Sequence, residues 1–197
     1  MTNKKKALLI GGALLIGGRM NTKEFKYYGL IGGDLEIKAK IYMVCKVISP
    51  ATIENASKLL AETVAIETRN GKAVDYSDSY GEGLTQFDKP TFEDIKSYYS
   101  NPRFNDLMKD IKTYLFIDVL NFKYEDLRKS PMASLVFARL LYLRVPSAIP
   151  NTVAGRYEYY KKYFNSILGA STFNGYIQAQ KMAVFVWVGQ LLMNTET

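Results

Sequence analysis

Residues 63–88 read "TVAIETRNGKAVDYSDSYGEGLTQFD". An apolar, helix-forming stretch delivers Glu67 just before the chain breaks into Gly, Asp, Ser and Tyr. On a helical wheel Leu60, Val64 and Glu67 share one face, at i, i+4 and i+7. Lys58, Glu62 and Arg69 share another, so Glu62 reads as a solvated side chain with Lys58 one turn away. Glu67 instead follows the apolar stripe to the end of the helix. Desolvation there disfavours the charged form and raises the carboxyl pKa. A carboxyl kept protonated near neutral pH can act as a general acid. A helix-terminal glutamate that turns to solvent or pairs with Arg69 fits the same letters.

The helix carrying Glu67 is predicted over 53–68, after a break at "SPAT". A preceding helix is predicted over 34–49 with Asp34 as its N-cap. Residues 70–87 form a loop or small β insert rich in turn formers. Asp88 and Pro90 start a further helix, with Thr91 and Asp94 resembling a capping box. "SNPRF" interrupts at 100–104, and helical patterns follow over about 105–121, 131–145, 153–168 and 172–193. The expected fold is one mainly α domain over 21–197, with the insert near 70–87. Arg139 and Arg144, five apart on one predicted helix, suggest one arginine paired with an internal carboxylate and one solvated.

Composition narrows the chemistry. The chain has 197 residues, enough for one domain with a core, and 48% are apolar. It has no histidine, which removes His-based nucleophilic triads and His-ligated zinc. The single cysteine, Cys45, lies in the apolar run "IYMVCKVI" and reads as a buried structural thiol. Asp75, Asp78 and Glu82 do not match the spacing of a calcium loop, and no metal or cofactor is expected. Carboxylates, hydroxyls, amides, Lys and Arg are left to carry any reaction. The net charge of +7 suits polyanions, including the anionic bacterial cell wall, yet no nucleic-acid motif is visible. Fifteen Tyr and ten Phe suit a groove for a flat ligand such as a sugar, or a half-wet core.

The N-terminal "MTNKKKALLIGGALLIGGRMNTK" sets three lysines before a short apolar run. That run is shorter than the ~20 residues a spanning helix needs. Residues 1–20 read as a membrane-seeking tail or uncleaved anchor, or as an arm docked on another protein subunit.

The stretch after Glu67 is informative at "SYGEGLTQFD". Gly81 and Gly83 permit a tight turn or a close backbone approach to a ligand. Gln86 offers an amide that both donates and accepts, as a sugar acetamido or hydroxyl group requires. Glu67 in "AIETRNG" followed by "YGEGLTQFD" resembles the lysozyme-like superfamily, in its lytic transglycosylase and goose-type lysozyme branch. The phage-borne murein hydrolases of that branch are the nearer likeness. Thr68 stands where that family commonly has Ser. "ASLVFARLLYLRVPSAIP" (133–150) and "YEYYKKYFNSILGAST" (157–172) resemble two later segments of the phage relatives. Tyr163 and Asn165 match their Tyr and Asn, Phe164 replaces a Tyr, Tyr160 replaces a Trp, and "GAST" replaces "GKGT". The resemblance spans roughly residues 50–180 and implies an α+β lysozyme-like fold. It implies peptidoglycan as substrate, cut between N-acetylmuramic acid and N-acetylglucosamine, with Glu67 as catalytic acid. It assigns Tyr80, Gly83, Gln86, Tyr142, Tyr160, Tyr163 and Asn165 to the sugar, and a virion or membrane location to the protein. A non-catalytic lysozyme-like virion or glycan-binding protein remains an alternative, as does a basic membrane-perturbing protein.

Overall fold

The computed structural model describes residues 28, 30–73, 81–165 and 171–183. Over these the chain is mainly helical. The helices are α1 (Gly33–Ile48), α2 (Ile53–Thr68), α3 (Lys89–Tyr99), α4 (Asn105–Leu115), α5 (Pro131–Leu143), α6 (Val153–Tyr163) and α7 (Phe173–Met182). Short 3-10 turns lie at Pro50–Thr52, Pro102–Phe104, Val119–Asn121 and Tyr124–Lys129. Among the described residues β structure is limited to one antiparallel bridge between Glu82 and Phe87. Residues 1–20, Asp75, Asp78 and Tyr80 lie outside the described residues. No helix among the described residues is long and apolar enough to cross a membrane.

Helix boundaries follow local chemistry. Asp88 caps α3 by accepting from the Thr91 N–H at 2.8 Å, and Ser130 and Thr152 cap α5 and α6 in the same way. At α1 the cap position is Gly32 rather than Asp34. The Glu36 carboxylate reaches back to the N–H groups of Ile31 and Gly32, at 2.9 and 2.7 Å, and so ties the entering chain to the first turn, while Asp34 lies within that turn. α4 stops at Leu115, short of the expected 121, because Phe116 adopts a left-handed conformation. α6 stops at Tyr163, short of the expected 168.

α5 is buried almost throughout, from Pro131 to Tyr142, and α1 packs on it through Ile37, Ile41, Val44 and Ile48. α2 lies against α1, α5, α6 and α7. It has no broad solvent face: Ala56, Ser57, every residue from Leu59 to Ala65, and Thr68 are buried. Cys45 is buried, and burial pushes its thiol up to about 11, the neutral structural role expected of it. Phe92, Phe137 and Phe87 fill the space beneath the 81–87 turn, with Phe92 and Phe137 ring centroids 4.4 Å apart.

That turn joins α2 to α5. The Thr68 hydroxyl donates to the Leu84 carbonyl at 2.9 Å and accepts from the Gly71 N–H at 3.1 Å. Ser134 on α5 receives the Leu84 N–H at 3.1 Å. Gly83 has φ +75°, and a Cβ there would stand 2.3 Å from Ser134 Oγ and 2.6 Å from the Leu127 carbonyl oxygen. Protein packing alone therefore requires glycine at this position. Gly83→Ala is expected to lower stability by roughly 2–3 kcal/mol, from left-handed strain plus overpacking. Urea unfolding monitored by circular dichroism measures it. An unchanged midpoint would mean that the turn is not held against α5.

Candidate functional site

α2 carries two glutamates, Glu62 and Glu67, into the interior, and each meets a tyrosine. Tyr160 on α6 donates its hydroxyl to Glu67 Oε1 at 2.6 Å. Tyr176 on α7 donates to Glu62 Oε2 at 2.7 Å. The two tyrosine rings touch, with centroids 5.5 Å apart. The environments then diverge. Glu62 is fully buried and takes a two-pronged contact from Arg156 on α6, Nε to Oε2 and Nη2 to Oε1, both at 2.7 Å. Arg156 also donates from Nη1 to the Asn151 carbonyl at 2.8 Å. The expectation that Glu62 is solvated beside Lys58 is therefore corrected. Lys58 pairs with Glu54 at 2.7 Å, and Glu62 sits where α2 is enclosed by its neighbours.

Among the described residues Glu67 has no such cation. It is partly buried near the C-terminal end of α2, and Arg69, its other candidate partner, is exposed. Burial lifts its carboxyl to about 7 from an ordinary 4.5, against the opposing pull of hydrogen bonding from Tyr160 and Asn165. Asn165 is itself oriented. Its Oδ1 accepts from Lys161 Nζ at 3.0 Å and from Ser171 Oγ at 2.8 Å, which leaves its NH2 group to act on the carboxyl. The Tyr160 hydroxyl, desolvated and beside Glu67, is raised far above its ordinary range and stays a donor. A protonatable carboxyl, a fixed phenol and a fixed amide are thus gathered at one edge of α2. That set can deliver and later recover one proton.

The other residues expected at the site are placed differently. Tyr142 is an interior residue, 2% exposed, sharing a 2.8 Å hydrogen bond with Thr63 and stacked on Phe164. It backs the site through Phe164, which in turn stacks on Tyr160. It is not a groove wall. Tyr163 turns away from Glu67 and packs on Tyr159, whose hydroxyl donates to the Ser147 carbonyl. Gln86 has φ +48° and gives its amide N–H groups to the Tyr28 hydroxyl and the Gly83 carbonyl, both at 3.0 Å, so it braces the turn. Gly83 packs on Ser134 and Leu127. Tyr80 lies outside the described residues. An open depression of about 480 Å³, lined by Met43, Lys46, Val47, Asp110 and Tyr114, shares no residue with the Glu67 site. Among the described residues no cluster of three or more His, Cys, Asp or Glu is placed to hold a metal ion.

Sequence reasoning missed Arg156, Tyr176 and Ser171. A signal existed for the first. Arg156 and Tyr160 lie one helical turn apart on α6, and Glu62 and Glu67 lie five residues apart on α2, so two facing helices offered two polar pairs. No family model, curated protein or solved structure matches the chain.

Two outcomes follow from the contrast between the glutamates. The folded pKa of Glu67 exceeds its unfolded value, so the unfolded chain loses this proton first. Its contribution to stability is therefore present below about pH 4.5 and is lost as pH rises through about 7. Glu67→Gln keeps the side chain neutral. Relative to wild type the variant should gain up to roughly 3 kcal/mol at pH 8, with the gain shrinking toward pH 5. Calorimetric unfolding at the two pH values tests this, and an equal difference at both would show that the carboxyl is not desolvated. Arg156→Met strands Glu62 without its cation and should cost about 3–5 kcal/mol. A loss under 1 kcal/mol in urea titration would remove the pair from the framework.

Proposed function

We propose that the chain is a peptidoglycan-cleaving glycosidase of lysozyme-like type, with Glu67 as the general acid. One observation carries the reading: a carboxyl at the end of a buried helix, lifted to about 7 and aimed by Tyr160 and Asn165. The sequence resemblance supplies the substrate, the bond between N-acetylmuramic acid and N-acetylglucosamine. It also supplies the lysozyme-like arrangement of helices around that acid, and a phage setting in which the enzyme acts from the virion or a membrane on the host wall.

Glu67 gives its proton to the glycosidic oxygen as the bond to the anomeric carbon breaks, leaving an oxocarbenium-like centre. Tyr160 and Asn165 then stabilise the carboxylate that remains, since each donates to the charged form. A second carboxylate would ordinarily stabilise or attack that centre. Three described carboxylates near it in sequence are engaged elsewhere. Glu62 is held by Arg156, Glu82 is bound by the Arg128 guanidinium, and Asp88 caps α3. The reading adopted is therefore intramolecular closure. The sugar's own 6-hydroxyl attacks the anomeric carbon, its proton passes to the Glu67 carboxylate, and a 1,6-anhydro ring forms.

The interior engagement of Tyr142 and Gln86 favours a second reading, a glycan-binding or virion structural module that keeps the fold without the reaction. One experiment separates the two. Purified cell walls are treated with wild type and with Glu67→Gln, turbidity is followed, and the released muropeptides are weighed by mass spectrometry. The enzyme reading expects clearing to drop by about 10²–10⁴-fold in the variant. It expects wild-type clearing to fade as pH rises through about 7, and products lighter by one water than hydrolysis gives. Clearing by the variant equal to that of wild type would remove Glu67 from the chemistry. Absence of clearing by the wild type would leave the binding module.

A further inference from the structure

Glu67 receives two donors, the Tyr160 hydroxyl at 2.6 Å and the Asn165 amide. Tyr160 lies on α6, and Asn165 lies two residues past the end of that helix. Neither group is fixed by its own chemistry. A phenol O–H rotates about its C–O bond, and a primary amide can present either its NH2 group or its carbonyl. An Asn165 amide turned over would aim a carbonyl oxygen at the Glu67 carboxylate and repel it. Both donors must therefore be held from behind.

One further side chain touches both of them. The Ser171 hydroxyl donates to Asn165 Oδ1 at 2.8 Å and is also hydrogen-bonded with the Tyr160 phenol. Lys161 Nζ shares the hold on Asn165 Oδ1, at 3.0 Å, and Ser171 ties that amide to the phenol. Ser171 belongs to neither helix that carries the site. It stands just before Thr172, whose side chain caps α7 by accepting from the Gly175 N–H at 3.2 Å, and that cap fixes the backbone beside it. α7 thus supports Tyr160 twice. Tyr176, within the helix, packs its ring on the Tyr160 ring with centroids 5.5 Å apart, and Ser171, before the cap, meets the Tyr160 hydroxyl.

We propose, on the reading that Glu67 is the general acid, that Ser171 is a positioning residue: it locks the Asn165 amide and the Tyr160 phenol into one donor pair that faces the carboxyl together. It acts through those two groups. Both of them favour the charged form of Glu67 and oppose the effect of burial. Loosening the pair withdraws support from the carboxylate that remains once the proton has been given to the glycosidic oxygen, so proton transfer slows. The same loss makes the carboxyl hold its proton to higher pH.

Two readouts test this on the full chain. The first is the titration of the Glu67 carboxyl, followed by NMR on protein labelled with 13C-glutamate and assigned by its absence in Glu67→Gln. Ser171→Ala should move that titration upward by roughly 0.5–1 pH unit, a fraction of the worth of hydrogen bonds to a charged oxygen. The second is turnover of soluble glycan strands as a function of pH. Ser171→Ala should lower kcat roughly 3–10-fold with KM held, and its loss of activity at high pH should move up with the carboxyl. Ser171 is partly exposed, so this variant is expected to fold as wild type does. Ser171→Thr keeps the hydroxyl and should match wild type in both readouts. A serine with a merely structural role would lower the melting temperature and leave the titration in place. An unchanged Glu67 titration in Ser171→Ala, or a Ser171→Thr variant as slow as Ser171→Ala, overturns the proposal. If wild type turns over no glycan, the enzyme reading fails, and the titration alone decides: an upward move restored by Ser171→Thr keeps Ser171 as the residue that aims the donor pair, and no move removes it.

Discussion

The two-pronged contact between Arg156 and Glu62 is the constraint on which the arrangement of α2, α6 and α7 depends. Both side chains are out of water, at 3% and 0% exposure, and the Tyr176 hydroxyl closes the same carboxylate from a third helix. An interior pair of this kind adds little net stability over apolar packing, because removing two charges from water offsets most of their attraction. What it gives is direction. Burying Glu62 is tolerable only if Arg156 faces it, which fixes the rotation of α6 about its axis. That rotation is what sets Tyr160, one turn further along α6, onto Glu67.

The same helix therefore holds two carboxyls in different surroundings. A cation meets both oxygens of Glu62, and a phenol meets one of them. Glu67 meets a phenol and an amide but no cation, and burial dominates. The ring stack running from Tyr160 through Phe164 to Tyr142 forms an aromatic wall behind it and keeps that side dry. A phenylalanine suits position 164, since a hydroxyl buried between the Tyr160 and Tyr142 rings would need a partner of its own. A carboxyl that titrates near neutrality, with its donors preset, is the arrangement a proton-transfer step requires.

Much of this was legible in the sequence, and the gaps have physical causes. The bounds of α2, the Asp88 cap and the break at 100–104 follow from local signals, and local interactions decide them. Glu67 was found because it ends an apolar stripe. Glu62 was misread because a wheel with one polar face presumes solvent on that side, whereas α2 is surrounded. Its partners lie 94 and 114 residues away in sequence, where no periodicity links them. Gly83 and Gln86 were noticed for the right reason, an unusual backbone, but that backbone is required by Ser134, Leu127 and Tyr28 rather than by a ligand. Asn165 reaches the site only because Lys161 and Ser171 hold its carbonyl end, which no local pattern specifies.

Three ionisable groups in the interior complete the contrast, each meeting the cost of desolvation differently. Glu62 is compensated by a cation of the protein. Glu67 escapes by holding its proton up to about pH 7. Arg139 has neither route: its one described hydrogen bond runs from Nη2 to the Thr52 hydroxyl, its neighbours Cys45, Tyr99 and Tyr159 are a thiol and two phenols that burial keeps neutral, and a guanidinium cannot give up its proton.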